Sequence, residues 1–285
     1  MGCCLDLPII NRESKKMKRV LITGAAGGVG SFLRKNLRGK YLLRLSDVTP
    51  ISSLAEGEEF IAADVTDAEA LPPLMDGVHG VVHLGGVPRE DAWQPILDIN
   101  IAGTYNVIEA ARRQGVERFI FASSNHAIGF YPRALRIDTD VSVRPDSRYG
   151  VSKAFGEALC SLYADKYAMR VMCIRIGNVS EEPVDRRRLS IWVSPRDLSQ
   201  LVEIGLEHPD MYNEIVYGVS DNRRGWWDNS NAARLGYVAE DRSEDYAEKV
   251  LAGAPDPAPD SVAETVQGGD FAVTEKGGGA VQPRD

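Results

Sequence analysis

Nowhere does the chain hold the run of about eighteen apolar residues that a membrane-spanning helix needs, and no charged-then-apolar leader stands near its start. Positive charge is also scarce. Lys and Arg number 33 against 41 Asp and Glu, a net charge of −8, and no basic stripe collects on any segment. Nucleic acid, whose phosphates need a concentrated basic surface, is excluded as the main partner. Only four cysteines occur: Cys3 and Cys4 side by side, Cys160 and Cys173 far along. They form neither a disulfide framework nor a metal-ligand pattern, so reduced structural thiols, no metal and a cytoplasmic location are expected. The opening Met1-Gly2-Cys3-Cys4 lacks the Ser or Thr at position six that N-myristoylation uses; Asp6 stands there.

What is present suits a globular enzyme. Apolar residues make up 44% and charged residues 26% of 285, enough to bury a large core. Met17 to Thr23 places a natural start directly on a first strand, so residues 1–16 are expected to be an extension. Apolar runs at 19–23, 41–45, 60–62, 80–84, 118–122 and 171–176 alternate with helical stretches at 31–37, 91–113 and around Tyr149. That alternation predicts an α/β fold, a Rossmann-type doubly wound parallel sheet over residues 17–176. Residues 177–252, with a helix at 195–206, a strand at 214–218 and a short helix after Trp227, are expected to form a small C-terminal substrate lobe. Trp226 and Trp227 serve there as packing anchors. Residues 253–285 are a tail rich in Ala, Pro and Gly, unable to build a core of its own.

The first strand runs into Gly24-Ala25-Ala26-Gly27-Gly28-Val29-Gly30 and then a helix. Glycines in such a turn let the backbone approach a pyrophosphate, whose charge then rests on N–H groups at the helix N-terminus. The spacing is Gly-x-x-Gly-x-x-Gly rather than the commoner Gly-x-Gly-x-x-Gly. Asp47, at the end of the second strand, suits the ribose hydroxyls of an adenosine and repels a 2′-phosphate. No Arg or Lys follows it closely, so NAD is favoured over NADP. Asp64-Val65 are placed to meet the adenine edge, and Gly85-Gly86 leave room for the cofactor.

Tyr149 and Lys153 stand four apart, on one face of a helix. A lysine ammonium beside a phenol favours the phenolate and turns tyrosine into a base. Moving its pKa from about 10 to about 7 takes roughly 4 kcal/mol, to which a bound nicotinamide cation also contributes. Ser123-Ser124-Asn125-His126 lie one strand and loop upstream. Ser124 is expected to orient the reacting oxygen. Asn100 either anchors a water linked to Lys153 or is structural.

Thr23-Gly24-x-x-Gly27-x-x-Gly30, Asp47, Asp64-Val65, Ser123-Ser124 and Tyr149-x-x-x-Lys153 together resemble the short-chain dehydrogenase/reductase superfamily, from residue 18 to about 250. Within its NAD-dependent epimerase/dehydratase-like branch, the finer text is similar to uronate dehydrogenases. It includes His83-Leu84-Gly85-Gly86, Ser123 to Gly129, Arg144-Pro145-Asp146, Tyr149 to Lys153, Arg175-Ile176-Gly177 and Trp226 to Ser230. The resemblance implies oxidation of a hexuronate at C1 by NAD to an aldarolactone. It adds Leu84, Ser123 and Ile176 to the cofactor contacts and implies Asn125, His126 and Arg187 as sugar ligands, Arg187 for the carboxylate. Gln267-Gly268-Gly269-Asp270-Phe271 resembles an ending in which an aromatic reaches the sugar, which implies Phe271. Two positions depart from the pattern: Pro88 and Asn178 stand where a serine is favoured or common, and proline brings no side-chain donor.

Three other readings remain open. An aldose or sugar-phosphate dehydrogenase would grip its phosphate with Arg186 to Arg188. A nucleotide-sugar epimerase shares the front half but needs a larger C-terminal domain. A redox-sensing NAD-binding regulator would not need Tyr149 and Lys153. The long helices before strands five and six are expected to pair between subunits, making a homo-oligomer.

Overall fold

The computed structural model describes residues 17–252 and 261–275; the N-terminal extension with Cys3 and Cys4, and the rest of the tail, lie outside them. Seven parallel strands form one sheet. In chain order they are β1 (Arg19–Thr23), β2 (Leu42–Ser46), β3 (Glu58–Phe60), β4 (Gly80–His83), β5 (Arg118–Ser124), β6 (Arg170–Ile176) and, after a two-residue pairing of β7 (Asn178–Val179) with β8 (Trp192–Val193), β9 (Asn213–Gly218). Their order in space is β3-β2-β1-β4-β5-β6-β9, so the winding reverses between β1 and β4.

The inner strands are apolar on both faces because helices cover both. The pleat sorts them cleanly. Val20 and Ile22, Ile120, Met172 and Ile174 face one core, together with α1 (Gly28–Leu37) and α6 (Pro195–Glu207). Leu21, Phe119, Phe121, Val171 and Cys173 face the other, with α3 (Gly103–Arg113) and α4 (Arg148–Tyr167). The expected lobe boundary at residue 176 does not separate these layers. A parallel β9 needs a crossover helix, and α6 supplies it, packing on α1 through Asn36, whose Nδ2 donates to Pro195 O (2.9 Å) and Ser199 Oγ (3.1 Å). The lobe's own part is a third cluster of Ile128, Ile137, Ile191, Tyr217, Val219, Trp226 and Trp227, with Trp227 stacked on Tyr217 at 4.9 Å.

Most strand ends shift by a residue or two, and three elements differ more. Helix α1 starts at Gly28, inside the glycine turn, not at 31. β3 begins at Glu58 rather than residue 60, since an ion network hides a polar strand start. Burial would raise the Glu58 carboxyl, but Arg34, the Ala55 N–H and Arg38 prevail and hold it down to about 2. The expected helix at 91–113 is α2 (Trp93–Pro95), a π-helical turn over Ile96–Ala102, and α3. Beneath the carboxyl edge, Arg175 and Glu157 form a buried two-bond pair (Nε–Oε1 and Nη2–Oε2 both 2.9 Å) to which Ser123 Oγ donates at 2.6 Å. Among the described residues no helix is long and apolar enough to cross a membrane.

The tail segment 261–275 borrows a core from the body of the protein. Gln267 is fully buried; its Nε2 donates to Pro132 O and Leu135 O, both at 3.1 Å, and its Oε1 accepts from Trp227 Nε1 at 2.7 Å.

Candidate active site

A cleft of about 780 Å³ opens at the carboxyl ends of β1, β2, β4, β5 and β6, where the winding reverses. Its first half begins with Gly24, at φ +69°, and Gly30, where a Cβ would meet Gly24 O at 2.6 Å and Ala25 Cα at 2.7 Å. Only glycine lets α1 start this close to β1. Gly27 caps α1 with no side chain, so the first-turn amides of Gly28, Val29 and Gly30 border the cleft as a ready anion cradle. Asp47 stands beside it, Oδ2 accepting from Ala26 N (3.0 Å) and Oδ1 from Thr49 N (2.9 Å). Asp64 Oδ1 accepts from the Thr66 N–H and hydroxyl, each at 2.8 Å, presenting Val65 toward Gly85. Leu84, Gly85 and Gly86 complete the wall. The basic side chains lining the cleft are Lys153, Arg187 and Arg188, and none of them neighbours Asp47 in sequence. This half fits a dinucleotide: a glycine cradle that any Cβ would fill, a helix N-terminus, and an acidic ribose partner.

Beneath the cleft, His83 bonds Thr23 Oγ1 through Nδ1 (2.8 Å) and Thr104 Oγ1 through Nε2 (3.1 Å). Burial, with the charge of Lys153, pushes its pKa down to about 3, so it is a neutral strut between β1 and α3.

The second half holds Ser123, Ser124, Tyr149, Lys153 and Ile176. Helix α4 brings Tyr149 and Lys153 in on its first turns. Ser147 caps it through Gly150 N (3.0 Å), and Glu90 Oε2 accepts from Tyr149 N (3.2 Å). Burial pushes the Tyr149 phenol up to about 12, the Ser124 hydroxyl opposing it and the charge of Asp146 adding to it. Burial likewise draws Lys153 down to about 8. At the phenol, burial prevails over the nearby ammonium. The ammonium lies over rings, 5.5 Å from the Tyr149 centroid and 4.9 Å from that of Phe121, and desolvation outweighs it.

The far end of the cleft, beyond Tyr149, is lined by Pro88, His126, Asn178, Arg187, Arg188, Ile191 and Phe271. Phe271 stacks on His126 at 3.8 Å, bringing the tail into the site. Arg187 donates from Nε (3.2 Å) and Nη2 (2.7 Å) to Gln267 O. Burial, reinforced by Arg133 and Arg188, lowers its pKa to about 10, so it remains charged at neutral pH.

Two expected ligands sit behind the wall. Asn100 spends its amide on Val87, accepting from Val87 N (2.7 Å) and donating to Val87 O (3.1 Å), and on Ser152 Oγ (3.1 Å); it shapes the loop before Pro88 and does not face the cleft. Asn125 is buried. With its amide nitrogen toward Ile176 O (3.2 Å), its oxygen accepts from Arg187 Nη2 (3.1 Å), so it aims the arginine instead of lining the cleft. Sequence reasoning passed over Glu90, gave Gln267 no role of its own, and used Arg188 only in the alternative phosphate-gripping reading. Nothing in the residues around Gln267 signals that its carbonyl meets Arg187 from 80 positions away.

Fold and site together define a dinucleotide-dependent enzyme of the doubly wound α/β class. The family model for the NAD dependent epimerase/dehydratase family matches residues 20–247, and the chain belongs to that family. It is 49% identical to the uronate dehydrogenase of Pseudomonas putida, over 90% of this chain and 96% of that one. The structure of glucuronic acid dehydrogenase from Chromohalobacter salexigens superposes with a TM-score of 0.88 at 44% identity, covering 90% of this chain and 97% of the other. A variant of the Agrobacterium tumefaciens uronate dehydrogenase complexed with NAD superposes at 0.87, 41% identical, with the same coverage of both chains.

Proposed function

We propose that this protein oxidises a hexuronate, glucuronate or galacturonate, at C1 with NAD, releasing the aldarolactone. The observation that carries the substrate class is the charged guanidinium of Arg187, in the same cleft as Tyr149 and Ser124 and aimed by Asn125 and Gln267. A planar fork of this kind suits a carboxylate. The uronate dehydrogenases at 41–49% identity support the same reading.

Gly24, Gly27, Gly28, Val29 and Gly30 hold the pyrophosphate, Asp47 the adenosine ribose, and Asp64 and Val65 the adenine. Bound NAD supplies the hydride acceptor and a positive charge near the phenol. Ser124, in the same cleft as the Tyr149 phenol, fixes the C1 oxygen. Tyr149 as phenolate takes the C1 hydroxyl proton while the C1 hydrogen leaves as hydride, and loss of both gives the C1 carbonyl of the lactone. Lys153 favours the phenolate and holds the nicotinamide ribose. Arg187, with His126 and Phe271, orients the ring.

The test is NADH formation across glucuronate, galacturonate, glucose, glucose 6-phosphate and a UDP-sugar, with NAD and with NADP. Strong turnover of the two uronates with NAD is expected. Reduction with glucose 6-phosphate alone would overturn the uronate reading in favour of a phosphate-gripping site, and UDP-sugar interconversion without net NADH would make it an epimerase.

The enzyme works as a homo-oligomer in this proposal. α3 and α4 leave Tyr105, Val151 and Leu162 more than two-fifths exposed, an apolar face suited to a second copy. Light scattering should give a multiple of 31.2 kDa; a monomer at micromolar concentration contradicts it.

A further inference from the structure

His126 is clamped by a carboxylate to which the hydride-transfer chemistry assigns no part. Asp146, two residues before α4, has a side chain with no exposed surface. Gly129 and Gly268 wall it in so tightly that a Cβ at either would come within 1.8 Å of Oδ2. Oδ2 faces His126 Nδ1 at 2.8 Å, and Oδ1 accepts from the Ser147 hydroxyl at 2.8 Å. The backbone closes the clamp: Asp146 N donates to His126 O (3.3 Å) and His126 N donates to Ser124 Oγ (3.2 Å). Phe271 covers one face of the ring at 3.8 Å, and the Tyr149 ring meets it edge-on at 5.8 Å.

A carboxylate with both oxygens accepting leaves the proton of a neutral imidazole on Nδ1 and a lone pair on Nε2. The charged side chains at this end of the cleft, Lys153, Arg187 and Arg188, only donate. A sugar hydroxyl bound among such donors needs somewhere to place its own proton. We propose that Asp146 is a positioning residue that fixes His126 as a hydrogen-bond acceptor through Nε2, so that His126 selects the sugar by receiving a hydroxyl proton from it. The sugar-binding part rests on the proposed function; the tautomer part does not.

The test is long-range proton–nitrogen NMR on the NAD-bound enzyme at a pH where the ring is neutral. The chain has four histidines, and the signals of His126 are assigned by their loss in His126→Gln. Wild type should show Nδ1 protonated and Nε2 bare. In Asp146→Asn, whose amide donates to Nδ1, the ring should switch to the Nε2–H form, with KM for the uronate rising about tenfold, the loss of one good hydrogen bond, while KM for NAD stays unchanged and kcat moves less than about threefold. A wild-type ring protonated on Nε2 overturns the proposal whether or not the variant folds. So does a folded Asp146→Asn whose tautomer is unchanged, or whose tautomer switches with no change in KM. If the wild-type enzyme oxidises no uronate at all, the functional reading fails while the tautomer result still stands or falls on its own.

Discussion

Tyr149→Phe is expected to lower kcat for uronate oxidation by about a thousandfold or more while leaving NAD affinity within about threefold, as read by NADH absorbance and by fluorescence titration of NAD. The phenylalanine keeps the ring that meets His126 and Phe271 and removes only the hydroxyl. The loss falls on proton transfer, not on packing. In the protein without cofactor, burial holds the phenol near 12, so the phenolate is a trace species at neutral pH. A cation placed next to the phenol shifts that balance toward the phenolate. The sign of the pH dependence follows. The active form is the deprotonated one, so the rate of oxidation rises with pH as Tyr149 releases its proton. Above about 8 the gain levels off because Lys153, drawn down to about 8 by burial, loses the charge that favours the phenolate. Tyr149→Phe should abolish this rise along with the activity. Substantial turnover in Tyr149→Phe would mean that another group is the base.

Arg187→Met is the second large effect: kcat/KM for glucuronate or galacturonate is expected to fall about 100- to 1,000-fold, chiefly through KM. Losing a charge-assisted pairing with the substrate carboxylate accounts for roughly 3–4 kcal/mol. Arg187 also donates twice to Gln267 O and once to Asn125, so the substitution loosens the tail as well. The neutral sugar galactose separates the two roles. It has no carboxylate, and its slow oxidation should change less than about fivefold in the variant. Equal losses for galactose and galacturonate would make Arg187 a structural tie for the tail rather than the carboxylate ligand.

Much of this was legible in the chain because it depends on short spacings. The glycine turn, the acid closing the second strand and the Tyr149–Lys153 pair are each set by a few neighbouring residues, and the parallel sheet follows from apolar runs alternating with helices. Side-chain direction was less legible. Asn125 follows Ser124 directly, yet it points behind the cleft wall onto Arg187, while His126, one residue further, points in; a turn of 3₁₀ helix over Asn125–Ile128 decides which is which. Asn100 is aimed at Val87 by a π-helical turn that the apolar periodicity does not encode. Phe271 is brought onto His126 by a tail segment in which Gln267, fully buried, bonds Pro132 and Leu135 more than 130 residues away. The competition between burial and the lysine charge at Tyr149 is a property of the folded interior, where desolvation is set by every neighbour at once.

In the proposed reaction, hydride leaves C1 of a hexuronate for NAD in this cleft. Galacturonate deuterated at C1, turned over with NAD, tests this directly by mass spectrometry of the cofactor. One deuterium in the NADH is expected for each uronate consumed, with an aldarolactone as the first product. NADH without deuterium, or consumption of the sugar without NADH, would contradict it.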